Sequence, residues 1–161
     1  MKRLVALFFL VLVAAAPAFV MQPAQAVTLG NNPSVTGHGN LTILGGLQTA
    51  SFHAVQHQNG AITGSLVVKS RGQAIRLFAD INCLIIVGNK ATLSGVVTQT
   101  NNPAVLVGDG VWFEVMDNGE GANNPPDSMT DVQVFPPFVN CSFTNLSPLL
   151  PIEEGNIQVR P

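Results

Sequence analysis

The sequence predicts an all-β domain: a single antiparallel sheet, closed as a barrel-like meander or folded as a two-sheet sandwich, of about eight or nine strands. Three observations predict it. Apolar residues recur at every second position in several stretches, which is the period of a strand with one dry and one wet face. No stretch beyond the first 26 residues keeps a helical period over three turns. Turn-forming pairs rich in Gly, Asn and Pro punctuate the alternating runs at short intervals.

The elements follow in order. A strand surrounds Phe52, and Asn59-Gly60 is a hairpin signal that turns it into the next, where Ile62, Gly64, Leu66 and Val68 face one way and Thr63, Ser65 and Lys69 the other. Ile75, Leu77, Ala79, Ile81, Cys83, Ile85 and Val87 then share a face, opposed by Arg76, Asp80 and Asn82. Gly88-Asn89 separates this run from Ala91, Leu93, Gly95 and Val97, which alternate with Thr92, Ser94 and Thr98. A strict two-residue loop pairs Val87 with Lys90 and turns Lys90 inward. Pairing Val87 with Ala91 keeps both apolar sets inside, so the pattern favours a three-residue loop or a bulge, with Cys83 opposite Gly95. Val111, Phe113 and Val115 alternate with Trp112, Glu114 and Met116 in a further strand, ended by Asp117-Asn118-Gly119. A Pro-containing loop spans Asn123 to Ser128, a strand Met129 to Phe135 stops at Pro136-Pro137, another from Phe138 to Thr144 carries Cys141, and Asn156 to Val159 closes the chain.

The amino terminus carries an address. Met1-Lys2-Arg3 is a short cationic start, Leu4 to Ala16 are unbroken apolar residues, and Ala24-Gln25-Ala26 offers the small-x-small pattern of signal peptidase. The apolar run is too short to span a ~30 Å hydrocarbon core, and no Cys follows it to take a lipid. Residues 1–26 therefore read as a cleaved export signal leaving no stable membrane anchor, with a cut near Ala16-Pro17-Ala18 as the alternative. Residues 27–34 read as a flexible arm and 35–161 as one secreted or periplasmic domain.

Loss of the signal leaves Lys69, Arg71, Arg76, Lys90 and Arg160 against all nine acids. That balance excludes a phosphate-backbone binder, which needs clustered cations, so no nucleic-acid partner is expected; an anionic membrane surface is disfavoured on the same ground. Charged residues are only 10% of the chain, and Thr, Ser, Asn, Gln and Gly supply the polar surface. In an oxidising compartment Cys83 and Cys141 read as a disulfide, worth about 4 kcal/mol on chain-entropy grounds. Buried free thiols or a metal site are the alternatives, and two Cys without a CxxC make a poor zinc signal.

Several segments carry a likeness: Gly37-His38-Gly39, Phe52 after a small-residue run, Gly64-Ser65-Leu66, Gly88-Asn89-Lys90-Ala91-Thr92-Leu93-Ser94-Gly95, and Phe113-Glu114-Val115-Met116-Asp117-Asn118-Gly119-Glu120. Over roughly residues 35 to 135 the chain resembles bacterial exported β domains of the post-COAP type. It departs from them at Ala54, where a second aromatic is usual, and at Gly121-Ala122, which replaces a Pro-Gly. The resemblance implies a secreted β domain and no chemistry.

Asp117, Asn118, Glu120 and Asp127 place oxygens around one loop and form the candidate Ca²⁺ site, although Asp-Asn-Gly is first of all a turn former and the spacing is not that of an EF-hand. His53 and His57 share a face opposite Phe52, roughly 13 Å apart on an extended strand, too far to hold one ion. His38 adds no pattern of its own. Trp112 shares its face with Glu114 and Met116 and is either a stacking platform for a sugar or apolar ligand, or the cover of a barrel flank. No G-x-S-x-G occurs, and no catalytic residues are assigned. The reading is an exported, non-enzymatic β domain serving as a structural or interaction module with a protein or glycan partner. A barrel that binds a small molecule or glycan is the first alternative and a small secreted hydrolase the second. A ligand-sized cavity would favour the barrel, and a solid interior the module.

Overall fold

The computed structural model describes residues 32–161 apart from 44, 73, 122, 138 and 139. The cleaved signal and most of the arm predicted from the sequence lie outside the described residues. Among the described residues there is no helix long and apolar enough to cross a membrane. Ten strands of the described residues make one antiparallel sheet: β1 (Ser34–Ile43), β2 (Gly46–Gln56), β3 (Ile62–Ser70), β4 (Ile75–Val87), β5 (Lys90–Thr100), β6 (Gly110–Met116), β7 (Ser128–Met129), β8 (Gln133–Phe135), β9 (Leu150–Pro151) and β10 (Glu154–Arg160). From β1 to β6 the sheet is a plain meander, each strand pairing with the next. β7 and β8 both pair with β6, β9 with β7, and β10 returns to β1. Only Ile152 and Glu153 separate β9 from β10, so one short segment ties the two ends of the sheet and curls it into a barrel-like form.

Carboxylates complete that closure. Asp127 accepts the Asn118 amide on Oδ1 at 2.8 Å and the Ile157 amide of β10 on Oδ2 at 2.7 Å. Asp117 accepts Gly119 N on Oδ1 at 2.8 Å and Val159 N on Oδ2 at 3.0 Å. The amides of Ile157 and Val159 belong to the edge of β10 that has no strand partner, and an unpaired buried amide is costly. Two carboxylates thus take the place of a missing strand. Farther along the seam, Ile152 N donates to Asp127 O and Glu153 N to Asn40 O, each at 2.9 Å.

The predicted inward set forms the core. Leu66, Leu93 and Phe113 are fully buried, and the Phe52 and Phe113 rings meet edge to face with centroids 5.2 Å apart. Gly37 of β1 makes room for this pair: a Cβ there would sit 3.0 Å from Phe52 Cζ and 2.8 Å from the Asn156 carbonyl oxygen. Gly37 and Gly39, with His38 and Asn40, break the apolar alternation of β1, which the sequence pattern did not announce.

Three expectations need correction. The register of β4 against β5 shifts between Ile81 and Cys83, so the inward face passes from Ile81 to Leu84, and Cys83, Ile85 and Val87 turn outward. A bulge inserts one residue and inverts every side chain beyond it. Val87 consequently pairs with Lys90 across a strict two-residue Gly88-Asn89 turn, and Cys83 lies opposite Ser94, with Ile81 opposite Gly95. Gly88, at φ +61°, suits the first central position of a II′ turn. Of the expected strand over Phe138–Thr144, residues 138 and 139 lie outside the described residues, and Asn140 to Thr144 carry no strand and form an outer strap. Finally, Met129–Phe135 splits into β7 and β8, because Thr130 binds both the carbonyl and the amide of Glu114 and interrupts the ladder.

Replacing Asp127 with Ala strips the charged acceptor from two amides, one on the closing strand. A loss of about 3 kcal/mol in unfolding free energy is expected by denaturant titration, and a loss below about 1 kcal/mol would show that the seam closes without it.

Candidate functional site

The inward faces fill one end of the barrel and leave the other open. Toward the hairpin turns at 57–60 and 88–89, the buried Phe52, Leu66, Leu93, Phe113, Met129 and Ile157 occupy the interior. At the opposite end, bounded by the turns after β1 and β3 and by the loop between β5 and β6, a pocket of about 420 Å³ remains. That volume lies in the range of small-molecule sites. Ile43, Val68, Ile75 and Leu77 make one wall, continued by Val105 from the long loop and by Val132 and Val134 from the β7–β8 stretch. Of these, Val68, Ile75 and Leu77 are the mouthward ends of the predicted inward faces of β3 and β4.

Polar side chains enter from Gln48, Ser70, Asn102 and Asp131. Gln48 stands at an inward position of β2, in phase with Ala50 and Phe52, so the strand period carries a carboxamide into the interior. Its Oε1 is buried and has no hydrogen-bond partner. Burial raises the Asp131 carboxyl above its ordinary 3.8, while hydrogen bonding from the Gln48 side chain and the Val132 backbone pulls it down. Each group is costly in an apolar wall, since an unmet buried acceptor and a desolvated carboxylate both lose hydration. Neither residue stood out in the sequence. A polar residue in phase with an inward apolar series, as Gln48 is with Ala50, Phe52 and Ala54, was the available signal.

The residues singled out from the sequence are placed as follows. The carboxylates of Asp117 and Asp127 are taken up by backbone amides at the seam, Asn118 Nδ2 donates to Pro126 O at 2.7 Å, and Glu120 contributes its carbonyl to Asn124 Nδ2 at 2.7 Å. The four residues proposed for Ca²⁺ are thus brought together as a turn and closure device. Among the described residues no group of three or more His, Cys, Asp or Glu is placed to hold a metal ion.

Cys83 and Cys141 form the disulfide, across 58 residues. The bulge that turns Cys83 outward is what lets it meet the strap. Trp112 is correspondingly no ligand platform: it is fully buried under the strap, and its Nε1 donates to Phe143 O at 3.0 Å. Glu114 is buried beside it, 2.8 Å from Lys90 Nζ, and accepts from Thr92 Oγ1 at 3.1 Å and Asn145 N at 3.3 Å. A buried carboxylate held by a cation and two further donors anchors the strap; removing one partner of such a pair is far more damaging than never having it.

The histidines face outward, as expected. His53 Nδ1 lies 3.1 Å from Ser65 Oγ, and His57 Nε2 lies 2.7 Å from Thr63 Oγ1. His38 and His53 line a shallow groove over β1, β2 and β3. In the cross-strand row His53, Ser65 and Asp80 stand side by side, with Ser65 in the middle. A hydrolytic triad needs the imidazole in the middle, between nucleophile and carboxylate, so this order does not supply one.

No protein family, curated protein or solved structure matches the chain.

The raised Asp131 carboxyl fixes a pH dependence. In the folded protein it keeps its proton at pH values where the unfolded chain has lost it, so its contribution to stability is complete below 3.8 and is lost as pH rises through the raised folded value. Asp131→Asn is expected to melt at a higher temperature than wild type at pH 7, with the gap closing as pH falls below 3.8. Melting curves at pH 7 and pH 3 check this, and equal gaps at both would contradict it.

Proposed function

We propose that this protein is an exported, non-enzymatic binding module that holds a small, largely apolar molecule in the open mouth of its barrel. The observation that carries the reading is the pocket itself, apolar on most of its wall and supplied by Gln48 and Asp131 with two converging polar groups. That combination is the usual form of a small-molecule site. It favours the ligand-binding barrel over a solid module that acts through its surface alone. The export reading draws support from the disulfide, which persists in oxidising compartments, and from the signal-like amino terminus. The non-enzymatic reading draws support from the order of His53, Ser65 and Asp80 and from the structural use of Asp117 and Asp127.

An uncharged fluorescent probe tests the pocket. N-phenyl-1-naphthylamine should brighten and shift to the blue on binding wild type. Val105→Trp, which fills the mouth from its half-buried wall, should abolish the change while leaving the melting temperature within a few degrees. Undiminished binding by the Trp variant would place the probe elsewhere and overturn the assignment.

A further inference from the structure

Three of the five cations outside the first 26 residues, Lys69, Arg71 and Arg76, fall within eight residues of one another, at the end of the β3–β4 hairpin that borders the pocket. Lys69 and Arg76 lie directly opposite each other in the β3–β4 register. Like charges so placed destabilise a sheet. Among the described residues the sole ion pair is Lys90 with Glu114, so no carboxylate neutralises any of the three, and all are exposed. The hairpin end is also held firmly. Arg71 N donates to Leu47 O at 2.8 Å, Arg76 N to Asn101 Oδ1 at 2.6 Å, and Asn101 Nδ2 to Ala74 O at 2.9 Å. In a chain with more acids than bases, a cationic cluster on a backbone held this firmly is not accounted for by ion pairing within the described residues.

Its position points to a role. Lys69, Arg71 and Arg76 border a recess of about 300 Å³ that shares Ser70 and Ile75 with the deeper apolar pocket. The loop that contributes Val105 to the wall continues into Leu106 and Val107, 67% and 68% exposed, which add apolar surface beside the mouth. Hydrocarbon and positive charge therefore meet along Ser70 and Ile75. Inside, the pocket is lined by acceptor groups such as Gln48 Oε1 and the Asp131 carboxyl and, among the described residues, by no Lys or Arg, which leaves the rim as the place for an anion.

We propose that the pocket takes a single-chain anionic amphiphile, its hydrocarbon in the mouth of the barrel and its anionic head on the rim formed by Lys69, Arg71 and Arg76. This rests on the pocket reading above and adds the class of ligand. Charge-assisted bonds from guanidinium and ammonium groups hold the head, with Arg71 and Arg76 able to grip a planar carboxylate with two donors each.

The test is displacement of N-phenyl-1-naphthylamine by decanoate, decan-1-ol and acetate, in wild type and in a Lys69→Gln, Arg71→Gln, Arg76→Gln triple variant. Decanoate is expected to displace the probe from wild type at roughly tenfold lower concentration than decan-1-ol, about the gain from one charged hydrogen bond, and acetate not at all. In the triple variant the two ten-carbon ligands should become equal while the probe binds as before, which also shows that the variant is folded. Equal displacement from wild type, or an advantage of decanoate that survives in the triple variant, overturns the proposal while the pocket stands. Displacement by acetate alone would show a plain anion site and also overturns it, as does sedimentation with phosphatidylglycerol vesicles without any displacement by decanoate. Failure of the probe to bind wild type removes the pocket reading and this one with it.

Discussion

The barrel depends on how the free edge of its last strand is satisfied. β10 pairs with β1 on one side only, and on the other its amides at Ile157 and Val159 face the end of β6 and the loop beyond it. A further strand there would supply carbonyls in a regular row. The chain instead places Asp127 and Asp117 so that each carboxylate reaches one edge amide with one oxygen and its own loop with the other. Charged acceptors make stronger bonds than carbonyls, and their second oxygens fix the loop that carries them. Closure, loop conformation and the seating of the last strand are thereby a single event, and the buried end of the barrel is built on it.

What the sequence disclosed followed from local chemistry. Alternation in β3, β5 and β6 put Leu66, Leu93 and Phe113 inside, and Asn59-Gly60 and Gly88-Asn89 marked real turns. What it concealed involved one residue's worth of phase. Ile75 to Val87 reads as an unbroken inward series because Ile, Leu and Val occur at both parities near its end, and a bulge between Ile81 and Cys83 has no signature when either face is apolar. β1 was hidden for the opposite reason: its inward Gly37 and Gly39 are small where large neighbours must fit, so its alternation is one of size and not of hydropathy. Trp112 and Glu114 read as the wet face of β6, and parity was right, but the strap from Cys141 onward covers that face, which is a long-range event.

The candidate site was less legible still. A pocket is a place where facing side chains fail to meet, and single-chain periodicity records only which way each one points. Gln48 and Asp131 come from segments more than eighty residues apart and are joined by the curl of the sheet. The cations of the β3–β4 hairpin were visible individually, yet low overall charge and an acidic balance hid the fact that three of them gather at one hairpin end.

The strap has a consequence for observing this protein in solution. The molecule contains one indole, it lies on the outer side of the sheet from the pocket, and the carbonyl it binds belongs to the strap that the disulfide secures. Its emission therefore serves as a native gauge of whether that cover is seated, read separately from anything that enters the barrel.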